Sequence, residues 1–463
     1  MTWIHPLDAA TRESADVLGG KGHGLIVMRR LGLPVPPGFV IGTAACRAFL
    51  RDGRFPDGLD AELAAAVRAL EDATRRPLAV SVRSGAAVSM PGMMDTVLNL
   101  GLTAGTIAAM ERLHAAVRAV FESWHSARAT TYRELNGIPH DLGTAVVVQA
   151  MVFGDRDEHS GSGVAFSRDP NTGEKVPFGD VLFGRQGDDV VSGRSTTRPL
   201  SDLAAREPAV WERLAAALHR LERHYRDACH VEFTYEAGVL WLLQVRPGGL
   251  TGRAAVRTAV DLADEGLIDR RTAVRRVSPR YLNDARTPRM DTGTGTDLLA
   301  RGRGACPGVV SGRVAVTADQ AARTAAGGPV ILVRPVTSPL DMHGLAAAAG
   351  VATSQGGPTS HAAVVARAMG KPAVVDAAAL TVDTAADQVR VGERVVPAGT
   401  LVTIDGTGGE IALGEPAVIS GAADVHLHRL LAWADEVSGD RSQRSDQERL
   451  GAAHALMREP TAT

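Results

Sequence analysis

The sequence predicts an α/β protein of two mixed domains that are joined by a linker. Helix-like and strand-like hydrophobic patterns alternate along residues 1–250, and they alternate again along residues 304–414. Residues 284–304 lie between these regions and are polar and rich in glycine and threonine, which is typical of a linker. Apolar residues make up 45% of the 463 residues, which is enough to form more than one hydrophobic core.

The elements of the first region follow from the spacing of apolar residues. These residues recur at helical intervals in residues 62–73, which predicts an amphipathic helix there. Short β-prone runs predict strands at 78–82 and 144–153. Longer periodic runs predict one or two helices at 107–135 and a further helix at 211–228.

The remaining elements are predicted in the same way. Residues 251–283 have a helical pattern, and residues 330–333 form a strand pattern. Helices are predicted at 338–349, 361–369 and 425–437. The residues after the last helix are rich in charge, and we expect them to form a loosely ordered tail.

Charge and cysteine content exclude several classes of protein. The chain has 50 basic and 52 acidic residues and a net charge of −2, which is unlike a general nucleic-acid binder. Its three cysteines are far apart, which argues against a disulfide framework or a zinc cluster and suits a reducing cytoplasm. We find neither a signal-peptide pattern nor about 18 consecutive apolar residues, so we expect a cytoplasmic protein without a membrane segment.

His361 is the first candidate for chemistry, because it follows two glycines and begins a helical run. The glycines at 356–357 permit close approach of a ligand, and Thr359 or Ser360 is a suitable N-cap. A helix N-terminus favours an anion and a neutral imidazole is a nucleophile, so the pattern favours a histidine that carries phosphate. Arg334, after a predicted strand, is a candidate phosphate contact. A capping or core histidine and an ordinary surface arginine fit these residues equally well.

A predicted hairpin carries the second candidate site. Residues 231–246 have the pattern of two strands that turn around Gly238. Glu232 and Gln244 are symmetric about this glycine and would face each other across a three-residue loop, and Arg246 shares the face of Gln244. A carboxylate and an amide oxygen suit Mg²⁺ that also binds nucleotide phosphates. The polar face of a half-buried hairpin is the alternative, and the residues taken alone favour it.

Glycine-rich segments form the third candidate site. Residues 19–24 include Lys21 and residues 82–86 include Arg83, and backbone N–H groups beside such cations suit phosphate binding. Neither segment is a Walker motif. Only three of the 50 basic residues are lysines, which sets Lys21 apart. The methionine-rich segment 89–95 is interpreted as either a flexible cover over a ligand or core filling.

Together these segments resemble the N-terminal and central parts of the pyruvate, phosphate dikinases, and more distantly the phosphoenolpyruvate synthases. The resemblance covers most of residues 14–440, and residues 353–372 around His361 resemble the family's phosphohistidine signature. It implies an ATP-grasp nucleotide-binding domain followed by a swivelling α/β phosphohistidine domain. The implied boundaries are 1–250 for the ATP-grasp domain, 251–303 for a helical segment and linker, 304–415 for the phosphohistidine (PEP-utilising mobile) domain, and 416–463 for a helical, charged tail.

The resemblance also implies roles for single residues. His361 would attack the β-phosphorus of ATP and release AMP, and in the family inorganic phosphate then takes the γ-phosphoryl group to give pyrophosphate. Thr359 matches a threonine that is phosphorylated for regulation in some members. The implied nucleotide contacts are Lys21, Arg83, Asp180, Gln186 and Arg246, and the implied Mg²⁺ ligands are Glu232 and Gln244.

Two departures from the family leave the phosphoryl acceptor open. The resemblance stops before the family's C-terminal barrel, which binds pyruvate and phosphoenolpyruvate, and Asp180 and Asp188 stand where relatives usually have glutamate. One hypothesis is half of a split dikinase, which converts pyruvate, ATP and phosphate to phosphoenolpyruvate, AMP and pyrophosphate with a separate barrel-domain protein. The others are a stand-alone enzyme with a different small-molecule acceptor, and a non-catalytic nucleotide-binding or phosphocarrier protein.

Overall fold

Helices and strands are both abundant in the structure, a computed structural model, which confirms the predicted α/β class. It describes residues 2–74, 78–88, 90, 93–102, 106–187, 197–250, 252–279, 282, 288–293, 295–419 and 425–458. No helix within these ranges is long and apolar enough to cross a bilayer. Asp188 and part of the segment 89–95 lie outside the described residues.

The chain forms two compact units, and each is assembled from separate stretches of sequence. The first unit contains Met1–Ser162, Phe183–Gly187 and Val231–Arg246, and the second contains Gly163–Leu182, Asp188–His230 and Pro247–Thr463. Because the units interleave along the chain, they are not consecutive segments. The domain boundaries expected at residues 250, 303 and 415 therefore stay a prediction.

Residues 2–150 form elements close to those predicted. The helices are α1 Ala15–Arg30, α2 Thr43–Asp52, α3 Leu59–Thr74, α4 Ile107–Glu122 and α5 Ala127–Asn136, and the strands are β1 Ile4–Pro6, β2 Gly38–Ile41, β3 Leu78–Ala86, β4 Thr96–Leu102 and β5 Thr144–Ala150. The helix expected at 62–73 is confirmed as part of α3, and the two predicted strands are confirmed as β3 and β5. The helical region expected at 107–135 is divided, because a 3₁₀ turn at Ser123–His125 separates α4 from α5.

A five-stranded sheet organises the first unit. Its strand order is β1-β2-β5-β3-β4, and its central strand β5 is buried at every residue. Leu63 of α3, Leu113 of α4 and Val80 of β3 lie in one hydrophobic core. Each such buried side chain stabilises the fold by about 1.5–3 kcal/mol relative to its exposed state. This packing fixes β3, whose C-terminal part carries Arg83 and Gly85.

The elements of residues 161–276 include the predicted hairpin. The strands are β6 Gly161–Phe166, β7 Phe178–Phe183, β8 Arg198–Pro199, β9 Cys229–Glu236 and β10 Val239–Pro247, and the helices are α6 Leu200–Arg206, α7 Pro208–Tyr225, α8 Gly252–Asp264 and α9 Arg270–Arg276. The hairpin is confirmed as β9 and β10, and the helix expected at 211–228 is confirmed as α7. The hairpin loop has two residues rather than three, since Ala237 and Gly238 adopt the positive φ angles, 50° and 75°, of a type I′ turn.

An eight-stranded mixed sheet forms the centre of the second unit. The strands after residue 288 are β11 Arg289–Met290, β12 Leu298–Arg301, β13 Arg303–Cys306, β14 Val309–Ala315, β15 Val330–Arg334, β16 Gly350–Thr353, β17 Ala373–Val375, β18 Leu380–Asp383, β19 Gln388–Val391, β20 Arg394–Pro397, β21 Leu401–Asp405, β22 Glu410–Leu413 and β23 Val418–Ile419. The large sheet has the order β12-β22-β21-β14-β15-β16-β17-β13, and β18 to β20 form a separate three-stranded sheet. Strands β14 to β17 are parallel.

Helices cross between the parallel strands and place the predicted histidine. They are α10 Ala318–Thr324, α11 Met342–Ala347 and α12 His361–Met369. The strand expected at 330–333 and the helix expected at 361–369 are confirmed. The helix expected at 338–349 is shorter, because a 3₁₀ turn at Pro339–Asp341 precedes it and Ala348 is extended. Since α12 follows β16, His361 lies at the sheet edge where the parallel strands end. Ligand sites in such sheets usually lie at this edge.

Two expectations for the flanks of this sheet are wrong. The predicted linker at 284–304 contains β12 in its described part, and β12 pairs with β22 in the large sheet. The tail after residue 437 is not loose throughout, because Asp446–Arg458 forms a helix, α14. This helix packs with α8, α9 and α13 (Val425–Ser438) around a shared apolar core that includes Leu431 and Leu450. The helical pattern at 251–283 is confirmed in α8 and α9.

Candidate functional site

A close glycine contact joins the two predicted phosphate-binding segments. Gly19 interrupts α1 with φ 66° and ψ 160°, and a Cβ atom built on it would lie 1.4 Å from the carbonyl oxygen of Gly85. No side chain fits in that space, so only glycine lets α1 lie against the end of β3. The structure therefore brings the segment of Lys21 beside the segment of Arg83.

Arg83 and Arg246 bind different oxygens of the Glu232 carboxylate. The Nη2 atom of Arg83 lies 3.0 Å from Oε2, and the Nη2 atom of Arg246 lies 3.4 Å from Oε1. Arg83 also donates from Nη1 to the carbonyl oxygen of Leu243 at 3.2 Å. These contacts tie β3 to the hairpin, so three residues selected from distant parts of the sequence share one site.

Three cations surround one carboxylate at this site. Burial lowers the pKa of Lys21 well below its ordinary value; Arg83 and Arg246 add to this effect, and Glu232 opposes it. A partly shielded excess of positive charge attracts a polyanion, and pairing with a phosphate favours the charged form of lysine. The electrostatics of Lys21, Arg83 and Arg246 therefore fit the binding of nucleotide phosphates.

Gln244 completes the hairpin cluster through Arg246. With its amide oxygen turned toward Arg246, Gln244 accepts a hydrogen bond from Nη2 at 2.7 Å. The two-residue loop removes the symmetric pairing expected for Glu232 and Gln244, and Arg246 joins them instead. Among the described residues no group of three or more His, Cys, Asp or Glu side chains forms a metal site. The carboxylate and amide oxygens still suit Mg²⁺ that is also held by nucleotide phosphates.

Gln186 and Asp180 are both engaged by protein groups. The Gln186 oxygen accepts from the amide of Gly154 at 3.3 Å, and its Nε2 donates to the carbonyl oxygen of Val152 at 3.4 Å. Asp180 lies in the second unit, where it is 0% exposed and accepts from Thr359 Oγ1 at 2.7 Å. Their expected contacts with a nucleotide stay a prediction.

His361 is the first residue of α12, as the sequence predicts. Ser360 is the N-cap residue, but its side chain makes no capping hydrogen bond. The preceding loop turns at Gly356, which has a φ of 90°. Backbone N–H groups and the dipole of this nine-residue helix favour a negative group at the same end.

The imidazole of His361 has one engaged nitrogen and one unengaged nitrogen. Its Nδ1 lies 3.1 Å from Thr337 Oγ1, whereas its Nε2 is buried and has no hydrogen-bond partner within the described ranges. A proton on Nδ1 that is donated to Thr337 leaves the lone pair on Nε2. Burial lowers the pKa of His361 to about 4, against the opposing charge of Asp341, so the ring is neutral at pH 7. This combination suits a nucleophile.

The environment of His361 predicts a low titration midpoint. Its ring signal in NMR should titrate at about 4 in the folded protein and at about 6.5 in the unfolded chain. Since the unfolded state binds more protons between these values, the stability linked to His361 is lost as the pH falls from about 6.5 through about 4. A His361→Gln variant identifies the signal. A folded-state midpoint near that of the unfolded chain would contradict a buried, neutral ring.

Arg334 ends β15 and directs its guanidinium to protein groups. Its Nη1 donates to the carbonyl oxygen of Val316 at 3.0 Å, and its Nη2 lies 3.5 Å from Asp341 Oδ1. Its Nε is buried and has no hydrogen-bond partner among the residues that the structure describes. Asp341 also acts on the charge of His361, so the two residues share a neighbour. A phosphate contact from Arg334 stays a prediction.

Sequence reasoning missed four residues that shape the surroundings of His361. Ser338 and Asp341 form a reciprocal capping box, which places Thr337 and Asp341 beside the imidazole. The S-x-x-D pattern at 338–341 is the signal that could have identified this turn. Arg367, which is 4% exposed, donates to the carbonyl oxygen of Pro358 at 2.5 Å. Its place in an apolar helical run gave no indication of that contact.

Comparisons with known proteins match both halves of the chain. Residues 50–207 match a model of the pyruvate phosphate dikinase AMP/ATP-binding domain, and residues 327–409 match a model of the PEP-utilising enzyme mobile domain. Over 94% of its length the chain is 36% identical to pyruvate, phosphate dikinase of Rhizobium meliloti (strain 1021), and the match covers 60% of that protein.

Two plant proteins give similar matches. The chain is 38% identical over 91% of its length to pyruvate, phosphate dikinase 2 of Oryza sativa subsp. japonica, with 58% of that protein covered. It is 36% identical over 92% of its length to the chloroplastic pyruvate, phosphate dikinase of Flaveria pringlei, with 54% covered. The chain therefore spans somewhat more than half the length of these relatives. Arg83 lies in the first matched region, and Thr359 and His361 lie in the second.

Proposed function

We propose that this chain, which belongs to the pyruvate, phosphate dikinase family, is an ATP-dependent phosphotransferase that carries phosphate on His361. The observation that carries the proposal is the state of the imidazole. The ring is neutral at pH 7 and is held at Nδ1 by Thr337, and its Nε2, at the start of α12, has no hydrogen-bond partner in the part of the chain that the structure describes. A neutral nucleophile beside a helix N-terminus suits attack on a phosphate and retention of the product.

In the proposed reaction, the Nε2 lone pair forms a bond to the β-phosphorus of ATP. The bond from that phosphorus to the oxygen that bridges it to the α-phosphate breaks, and AMP leaves with the oxygen and the electron pair. The proton of the ring stays on Nδ1, which donates a hydrogen bond to Thr337 Oγ1. Inorganic phosphate then takes the γ-phosphoryl group, which leaves phosphohistidine on the protein and releases pyrophosphate.

The cluster in the first unit is proposed to bind the triphosphate. Lys21, Arg83 and Arg246 supply the positive charge, and Glu232 and Gln244 are the proposed Mg²⁺ ligands. When bound, Mg²⁺ would neutralise charge on the transferring phosphates.

Three further residues have proposed roles. Gln186 is a proposed second contact to the nucleotide, and Arg334, through its buried Nε, is a proposed contact to phosphate on His361. Thr359 is a proposed regulatory position.

The second half-reaction is proposed to use pyruvate as the phosphoryl acceptor. Support comes from the relatives, whose names include pyruvate and phosphate. The product would be phosphoenolpyruvate, formed on a separate barrel-domain protein. The alternative is a stand-alone enzyme that phosphorylates a different small-molecule acceptor. The three cysteines are buried and lie far apart in the sequence, which supports a reducing compartment such as the cytoplasm.

The decisive experiment uses ATP that carries label at either the β or the γ position. The purified chain with Mg²⁺, phosphate and β-labelled ATP should acquire acid-labile label, while label from γ-labelled ATP should end in pyrophosphate. Lasting protein label from the γ position alone, or no label from either, would overturn the proposal. Pyruvate is then added to the labelled chain. Phosphoenolpyruvate formed by this chain alone would contradict the assignment of pyruvate to an outside domain.

A further inference from the structure

The loop before His361 rests on a buried carboxylate of β7. Asp180 is 0% exposed; its Oδ2 accepts from Thr359 Oγ1 at 2.7 Å, and its Oδ1 lies 3.3 Å from Arg303 Nη1. Thr359 is itself only 2% exposed, so water does not compete for this hydrogen bond. Hydrogen bonds to an ionised group in such surroundings are stronger than neutral hydrogen bonds at a surface.

The backbone of the same loop also lies against Asp180. A Cβ atom built on Gly357 would lie 2.6 Å from Asp180 Oδ2 and 2.8 Å from Thr197 Oγ1, so a side chain at this position would displace these groups. The Ser360 amide donates to the carbonyl oxygen of Gly357 at 2.9 Å and closes a turn directly before His361. The shape of the loop and its contact with Asp180 therefore depend on each other.

Arg367 also holds the loop. Its two terminal nitrogens donate to the carbonyl oxygens of Pro358 and Ala305 at 2.5 and 2.8 Å, and its guanidinium lies 5.5 Å from the ring centre of Phe166. Arg367 belongs to α12, the helix that begins at His361. Asp180 is on β7, so its bond to Thr359 ties the loop directly to a further element of the second unit.

We propose that Asp180 is a positioning residue that latches residues 356–360 through Thr359 and thereby sets the place of His361 Nε2. This inference rests on the proposed function of His361. It replaces the nucleotide-binding role implied for Asp180 by resemblance, because Thr359 and Arg303 occupy both carboxylate oxygens while the latch is closed. When the latch opens, Asp180 keeps Arg303 and releases the Thr359 hydroxyl.

The first test measures amide hydrogen exchange by mass spectrometry in the full chain without nucleotide. The Ser360 amide reports the latch, because its hydrogen bond closes the turn. Thr359→Val removes the donor at nearly constant volume and should speed this exchange about 10- to 100-fold. Thr359→Ser keeps the hydroxyl and should exchange like the original protein. Thr381→Val changes an exposed threonine on β18 and serves as the matched control. Equal exchange in Thr359→Val and the control would overturn the latch.

The second test separates positioning from nucleotide binding. Asp180→Ala, Thr359→Val and the double variant are compared for the rate of His361 phosphorylation and for the KM of ATP. If Asp180 and Thr359 form a latch, both single variants should lower kcat about 10-fold or more at unchanged KM. The kcat of the double variant should then equal that of the less active single variant, because both substitutions remove the same contact. A raised KM in Asp180→Ala alone would assign Asp180 to the nucleotide instead. If Asp180→Ala does not fold, the valine and serine variants at Thr359 still decide.

The two tests distinguish failure of the latch from failure of the proposed function. If the unaltered chain acquires no label from ATP, the phosphotransferase proposal fails, but the exchange experiment still shows whether Asp180 and Thr359 hold the loop. If the chain is labelled and Thr359→Val changes neither exchange nor kcat, the latch fails and the phosphotransferase proposal stands.

Discussion

His361→Ala should abolish acid-labile labelling of the chain by β-labelled ATP. Alanine has no lone pair with which to bind phosphorus, so we expect a loss of at least about 10³-fold in the rate of labelling. Binding of the nucleotide should persist, because Lys21, Arg83 and Arg246 are unchanged. The measurement is filter-bound label after a short incubation, together with nucleotide affinity by calorimetry.

The matched control for this prediction is another histidine of the second unit. His343 is exposed and pairs with Asp319 at 2.8 Å, away from the contacts made by His361. His343→Ala should therefore be labelled at the original rate. If label survives His361→Ala and disappears in His343→Ala, the phosphate is carried by His343, and the proposal for His361 fails.

Glu232→Gln should slow phosphorylation of His361 about 100-fold at limiting Mg²⁺. Glutamine keeps the shape of the side chain but removes the negative charge that a hard cation requires. The same change removes the partner of Arg83 and Arg246, so rate alone does not identify the cause. The informative measurement is the Mg²⁺ dependence of the rate, which should shift to higher concentrations in the variant.

Glu122→Gln provides the matched control for that measurement. Glu122 is an exposed residue at the end of α4, and the substitution removes the same charge from the surface. Its Mg²⁺ dependence should equal that of the original protein. If Glu232→Gln lowers the rate at every Mg²⁺ concentration without shifting the midpoint, Glu232 only orders the two arginines and is not a cation ligand.

The sequence predicted regular elements well where one physical period dominated. The amphipathic runs at 62–73 and 211–228 are helices because one face is buried along their length. Predictions were weaker where local hydrogen bonds override periodicity. The capping turn at Pro339–Asp341 delayed the start of α11, and the φ angles of Ala237 and Gly238 shortened the hairpin loop. Neither feature has a signature in hydrophobic spacing.

The residues of the candidate site were partly predictable, and the contacts between them were not. Lys21, Arg83, Glu232 and Arg246 were selected by motif and resemblance, and the structure brings them together. The bond between Asp180 and Thr359 joins residues 179 positions apart, and no local pattern reports such a contact. The low pKa of His361 likewise depends on burial by tertiary packing, which a single sequence does not specify.

The contact of Gly19 with Gly85 has a consequence for how the sequence is able to drift over generations. Every single-nucleotide substitution that changes the amino acid of a glycine codon introduces a Cβ atom or a stop, and no Cβ fits at Gly19. At the neighbouring Gly20 a Cβ would meet only ordinary contacts, at 3.4 Å from the carbonyl oxygens of Ala86 and Ala87. The two adjacent glycines therefore differ in how far they tolerate substitution, and geometry requires glycine only at Gly19.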